Sequence, residues 1–228
     1  MPIHATDQGW VLETATTGYA LGLNRAGLLV HRYWGARLPA PSDYPDAPNP
    51  GIWSAFNNPA QLTPEEYPGY EDIKFTDPCL KVTFADGVRD VVLRFESAEV
   101  RAGETPELLI QLRDTAYPFQ ATLRYRIHEV YDLIERAVTV SNMGATPIAI
   151  ERIWSAQWHM PAGGSYRLTH TVGRHMDEMH LRRELLTEGI KLLESRRLTT
   201  SHHHNPWFAV DRGSAAEDTG EVWFGVLA

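Results

Sequence analysis

The sequence predicts an all-β protein of antiparallel strands. Short runs of alternating apolar and polar residues recur along most of the chain, and turn residues punctuate them at close intervals. Helical patterning is scarce, with residues 176–188 alone reading locally as a helix. Regular short strands of this kind belong to a sandwich or a barrel. At 228 residues the chain is within reach of one such domain.

The strands follow in order. Residues 26–34 form the first. Residues 80–84 place Leu80, Val82 and Phe84 on one face, and Ala85-Asp86-Gly87 marks a hairpin whose return strand is 88–95. Residues 108–113 come next. In 121–128, Leu123, Tyr125 and Ile127 alternate with Thr122, Arg124 and Arg126, a period of two. Tyr131-Asp132 is the turn into 133–141, and Asn142-Met143-Gly144 closes that strand before 148–158. Ala162-Gly163-Gly164 turns the chain into 166–171, and 221–227 is the last strand. Residues 39–68 break the rhythm. They are dense in proline, with Gly, Asn and Ser among them, and a long loop of this kind is either functional or a surface meander packed by Trp53, Phe56 and Tyr67.

Charge and composition exclude several classes. Twenty-one Lys and Arg against 29 Asp and Glu leave a net charge of −8. A nucleic-acid partner usually needs a basic face, and an anionic membrane surface repels an acidic protein. No apolar run is long enough for a transmembrane helix, and residues 1–10 lack the basic start and apolar stretch of a signal peptide. The single cysteine, Cys79, allows no intrachain disulfide, which fits a cytoplasmic setting.

Motifs with chemistry are few. His202-His203-His204 would set His202 and His204 on one face of a strand, as two metal ligands are. No further His or Cys stands at a familiar spacing, so these histidines read as structural and no metal is expected. Glu65-Glu66, Glu71-Asp72 and Asp177-Glu178 are adjacent carboxylates, which point to opposite faces of a strand and read as solvated loop charges. There is no phosphate loop, nucleophile elbow or zinc-helix motif, and no cofactor is expected. Cys79 reads as a small buried hydrophobe. Seven Trp and nine Tyr remain, several beside polar groups: Tyr33-Trp34-Gly35, Trp53-Ser54, Gln157-Trp158-His159 and Asn205-Pro206-Trp207. Such pairings suit sugar contact as well as they suit a core.

Several segments together resemble the N-terminal domain of the family 36 glycoside hydrolases, the bacterial α-galactosidases. They are His31-Arg32-Tyr33-Trp34-Gly35-Ala36-Arg37-Leu38, Thr63-Pro64-Glu65-Glu66-Tyr67-Pro68-Gly69-Tyr70, Pro78-Cys79-Leu80-Lys81-Val82, Gly173-Arg174-His175-Met176-Asp177-Glu178, Ser195-Arg196-Arg197 and Ser201-His202-His203-His204-Asn205-Pro206-Trp207-Phe208. They occur in the family's order. His175, Lys74 and Leu198 depart from it, standing where the family usually has Trp, Asp and Gly.

The resemblance implies a galactose-mutarotase-like β-supersandwich over 1–228, one domain at the N-terminal side of a longer enzyme. The family's acid and nucleophile are aspartates of a (β/α)₈ barrel, the nucleophile in a Lys-Trp-Asp-x-Asn motif absent here, so no catalytic residue is expected in this chain. The resemblance further implies retaining hydrolysis of terminal α-galactosides by the parent, packing against its own catalytic barrel, and a homo-oligomer. It makes 176–188 extended rather than helical. Within the 39–68 loop Trp53 offers a flat apolar face and Asn57 both donors and acceptors, so the loop is expected either to project from the sandwich edge and border a sugar subsite of the full enzyme, Trp53 as stacking platform and Asn57 as hydroxyl partner, or to close over its own core through Trp53. The alternatives are a free-standing carbohydrate-binding or scaffolding module, or a mutarotase-like epimerase using a pair such as His159 and Glu178.

Overall fold

The computed structural model describes residues 2–49, 63–71, 74, 76–196 and 203–227. It is almost entirely antiparallel β and divides into two compact units, Met1–Pro161 and Ala162–Ala228. No helix among the described residues is long and apolar enough to cross a membrane.

The first unit holds two four-stranded meanders. One is β1 (Ile3–Thr6), β2 (Gly9–Glu13), β3 (Thr17–Leu23) and β4 (Leu29–Ala36), side by side in chain order. After them comes β5 (Leu80–Thr83). The other meander is β6 (Leu93–Arg101), β7 (Glu107–Asp114), β8 (Phe119–His128) and β9 (Leu133–Asn142). Finally β10 (Ala149–Ile153) pairs with β5 in a two-stranded ribbon. The alternation expected in β8 is present along its whole length: Phe119, Ala121, Leu123, Tyr125 and Ile127 are buried and their neighbours are not. They join Leu108, Ile110 and Leu112 of β7, Leu12, Tyr19 and Leu21 of β2 and β3, and Leu80 and Val82 of β5 in one core. A sandwich forms because each sheet has one apolar face and can bury it only against the other.

One local feature joins the meanders, and another packs residues 63–71 against the chain entering β6. Asp132 closes the β8–β9 turn in the left-handed region, at φ 56°. Its carboxylate accepts hydrogen bonds from the hydroxyls of Thr14 and Thr16 and, at 2.9 Å, from the Thr16 amide. Partial burial would raise its pKa, but these donors hold it down to about 2. At Gly69 the backbone lies so close to Val91 that a Cβ would sit 2.3 Å from the Val91 carbonyl oxygen.

The hairpin expected after Phe84 takes another form. The turn is there, with Gly87 at φ +87° donating to the Phe84 carbonyl at 2.9 Å. The chain beyond it does not return along β5. It runs without strand pairing to Leu93, where β6 opens in the second meander, and β10 takes the place beside β5. A turn signal fixes a reversal of direction and leaves the pairing partner open: Val91 and Leu93 of the returning chain are buried in the main core, and the mostly exposed β10 pairs with β5 instead.

The second unit is one sheet of β11 (Tyr166–Arg174), β12 (Asp177–Leu186), β13 (His204–Asp211) and β14 (Val222–Val226), in the order β12-β11-β13-β14. Residues 177–186 are thus extended, against their local helical pattern. Met176 and Met179 take positive φ, 65° and 63°, and β12 pairs with β11 from Tyr166↔Leu186 to Val172↔His180. A ladder of that length overrides a weak helix propensity. The two edges differ: β12 carries His180, Arg182, Arg183 and Glu184, whereas β14 exposes Val222, Phe224 and Val226.

Truncating Leu123, fully buried at the centre of β8, should cost about 2–5 kcal/mol. Val130→Ala in the exposed β8–β9 turn should change stability by less than about 0.5 kcal/mol. Urea melts of the two variants measure both.

Candidate functional site

The densest group of ionisable and aromatic side chains lies in the first unit, around residues 63–71. That segment is an irregular filler between β4 and β5. The Glu66 amide donates to the Leu29 carbonyl at 2.9 Å and the His31 amide to the Pro64 carbonyl at 2.8 Å. On the other side, the Cys79 amide donates to the Pro68 carbonyl at 2.8 Å and the Tyr70 amide to the Leu80 carbonyl at 2.9 Å. Backbone pairing on both flanks carries Glu65 and Glu66 into the interior.

Glu66 is fully buried. Its Oε1 accepts from the Tyr19 hydroxyl at 2.7 Å and the Tyr125 hydroxyl at 2.8 Å, and Arg136 Nη1 lies 2.8 Å away. Arg136 also donates to the Glu66 carbonyl at 2.6 Å and the Gln157 carbonyl at 3.0 Å, and its guanidinium lies over the Tyr125 ring at 5.3 Å. His159 Nε2 is 3.0 Å from the Glu65 carbonyl, a contact that places its proton on Nε2. The His159 and His31 rings lie 5.6 Å apart, and His31 Nδ1 is 3.9 Å from Glu66 Oε2. Burial pushes the Tyr19 and Tyr125 phenols well above their usual range. Burial alone would lower Arg136, but the facing Glu66 charge raises it.

A second knot adjoins the first. Lys74 Nζ sits 2.8 Å from Glu65 Oε1 and 3.2 Å from Glu71 Oε2, and Arg94 grips Glu71 through two bonds of 2.6 and 3.0 Å. Burial raises Glu65 against the pull of Lys74. For Glu71, burial is outweighed by Arg94 and Lys74, and its pKa falls. The expectation that Glu65, Glu66 and Glu71 are solvated loop charges is therefore corrected. Each is buried, because each has a cation within reach that offsets the loss of water. Asp177 and Glu178, by contrast, are exposed.

Two of the aromatic segments singled out in the sequence converge above this cluster. Trp34 and Trp158 pack at 5.9 Å between ring centroids, and Tyr19 meets Trp34 edge-on at 6.3 Å. Trp34 is half-buried and Trp158 is 37% exposed, so the pair is an aromatic surface over a polar interior. Cys79 is buried as expected, its thiol pushed up to about 12 by burial, which leaves it a poor nucleophile.

Trp53 and Asn57 lie outside the described residues, as do Phe56, Asp72 and His202. His204 is described, and its ring stacks on His170 at 6.3 Å. Among the described residues no three His, Cys, Asp or Glu side chains are grouped to hold a metal. The His159 and Glu178 pair has no support as an acid and base. His159 serves the Glu65 carbonyl, and Glu178 accepts from the Met176 amide at 2.8 Å in the β11–β12 turn. The sequence marks neither Arg136 nor Tyr19, and marks Tyr125 only as an inward residue of the 121–128 alternation. A weaker signal exists for Arg136: it stands in register with Ile134, Val138 and Val140, a lone charge in the inward set of β9.

The cluster holds segments of chain together. Hydrolysis of a glycosidic bond takes two free carboxyl groups facing one another, and Glu65, Glu66 and Glu71 are each committed to a cation.

Arg136→Met should destabilise the protein by about 3–5 kcal/mol, because it leaves the Glu66 charge buried and unpaired. Adding Glu66→Gln should recover at least about 1 kcal/mol of that loss. A double variant as unstable as the two single effects combined would show that the groups are not coupled.

His31 supplies a pH dependence. Burial lowers its pKa from 6.5 to about 4, with Glu66 opposing and His159 and Arg136 reinforcing. The unfolded chain therefore binds a proton that the folded one refuses between those values. Stability from this residue is complete above pH 6.5 and is lost as pH falls toward 4, by about 3 kcal/mol. Urea melts from pH 7 to pH 4 should show that slope, and His31→Asn should flatten it.

Comparison with known proteins places this architecture. The family model described as the glycosyl hydrolase family 36 N-terminal domain matches residues 27–228. Alpha-galactosidase AgaA of Geobacillus stearothermophilus is 28% identical over 93% of this chain and 32% of its own length. Alpha-galactosidase Mel36A of Lactobacillus acidophilus is 25% identical over 95% of this chain and 33% of its own. The crystal structure of the alpha-galactosidase AgaB from Geobacillus stearothermophilus superposes with a TM-score of 0.83 at 25% identity, covering 98% of this chain and 34% of that one. The chain thus spans about a third of the length of the relatives it matches. With strands and family pattern agreeing over most of its residues, the chain belongs to the glycosyl hydrolase family 36 N-terminal domain family.

Proposed function

We propose that this chain is the non-catalytic N-terminal part of a longer α-galactosidase, and that the parent hydrolyses terminal α-D-galactosides with retention. The observation that carries the reading is the family match over 27–228, joined to the fact that the relatives are named α-galactosidases and are about three times as long. The committed carboxylates support the division of labour, since residues 63–71 are built for rigidity. On this reading residues 1–228 make up one β-supersandwich domain that packs against the parent's (β/α)₈ barrel and contributes to a cytoplasmic homo-oligomer. Trp53 and Asn57 border a sugar subsite of the assembled enzyme, Trp53 stacking on the sugar and Asn57 binding a hydroxyl.

An aryl α-galactoside assay tests this. The full-length parent should turn the substrate over and residues 1–228 alone should not, and Trp53→Ala in the parent should raise KM with little change in melting temperature. Turnover by the pure 228-residue chain, abolished by changing one of its carboxylates, would overturn the reading. A large drop in melting temperature with unchanged kinetics would assign Trp53 to packing.

A further inference from the structure

The sheet of the second unit has an open recess on one face, to which all four strands contribute: Arg183 from β12, Arg167 and Thr169 from β11, Trp207, Ala209 and Asp211 from β13, and Val222 from β14. Its volume of about 540 Å³ is in the range of small-molecule pockets. The register explains the hollow. Ala209, Thr169 and Arg183 lie in one row across three strands, so two short side chains form the floor. Trp207, two residues before Ala209, stands on the same face as one wall.

The opposite wall is braced rather than loose. Arg167 Nε donates to Asp211 at 3.0 Å and Arg167 Nη2 to the Ala215 carbonyl at 3.0 Å, while Asp211 accepts from the Gly213 amide at 2.6 Å. These bonds fold residues 211–217 back over the sheet and set Glu217 at the rim. With Arg167 and Asp211 spent on each other, Trp207, Arg183 and Glu217 keep no side-chain partner among the described residues.

We propose that this recess binds a neutral oligosaccharide, separately from any subsite formed by Trp53 and Asn57. The charges decide the ligand class. Arg167 and Arg183 are balanced by Asp211 and Glu217, so a phosphate or carboxylate ligand meets repulsion from Glu217 as well as attraction from Arg183. A sugar ring presents an apolar face to the flat half-buried indole of Trp207 and hydroxyls that both accept from Arg183 and donate to Glu217. The inference does not depend on the parent being an α-galactosidase, because it asks the recess only to bind.

Stachyose is the probe, titrated into the 228-residue chain and followed by tryptophan fluorescence and calorimetry. Saturable binding is expected, weakened by about tenfold or more in Trp207→Ala and in Arg183→Ala. Arg183 is exposed, so the melting temperature of Arg183→Ala should hold and its loss can be read as contact; Trp207 is half-buried, so Trp207→Ala is read only after circular dichroism shows the variant folded. Binding that is absent in the wild type, or that survives both variants unchanged, overturns the proposal. So does binding that is lost in Trp53→Ala while Trp207→Ala retains it, which would move the sugar to the long loop. Turnover of an aryl α-galactoside by the parent is measured separately, so failure here leaves the activity reading standing.

Discussion

One carboxylate ties the first unit together. Glu66 receives Tyr19 from one meander, Tyr125 and Arg136 from the other, and lies on the segment that fills the gap between β4 and β5. Arg136 extends the tie to the Gln157 carbonyl, and His159 adds the Glu65 carbonyl. Four separate stretches of chain therefore meet on one ion pair. An apolar core would accept many small slips of one sheet over the other. A buried charge accepts very few, since any slip leaves it without its donors. The pair's contribution is thus a unique alignment more than raw stability.

Much of the sandwich was legible because alternation and turn residues are local signals. The β8 pattern is an example: five inward apolar residues, each separated by one polar neighbour. The strands β1, β2 and β3 are silent in the sequence, and for β2 and β3 the reason is physical. Leu12, Tyr19 and Leu21 face the main core while Val11 and Ala20 pack beneath Tyr44 on the other side. A strand buried on both faces has no polar phase to mark its period. The partner of β5 was misread for a different reason. The Ala85-Asp86-Gly87 turn is genuine, but pairing is decided by residues nearly seventy positions away in β10.

The candidate site was legible only in part. The resemblance draws attention to Thr63–Tyr70 as a block, and that block is the buried tie of the unit. Glu65 and Glu66 looked like surface charges because their cations, Lys74 and Arg136, are assigned by tertiary contact. Arg136 is seventy residues from Glu66, and no spacing rule connects them. The convergence of Trp34 with Trp158 had the same origin: each was visible as an aromatic beside polar groups, but their meeting required the fold.

The unlike edges of the second sheet carry a consequence for self-association. At one border, β12 lines up histidine, arginines and glutamate, and a further strand docking there would have to strip water from those charges. At the other border, β14 alternates outward Val222, Phe224 and Val226 with the buried Trp223 and Gly225. That strand has the short, β-prone, uncharged character of an aggregation template. Crowding of this chain on its own therefore has a polarity: β14 is the readier border for intermolecular sheet, since on β12 the exposed Leu181 and Leu185 stand among charged neighbours. A lysine in place of Phe224 is the gatekeeper that would keep concentrated solutions clear.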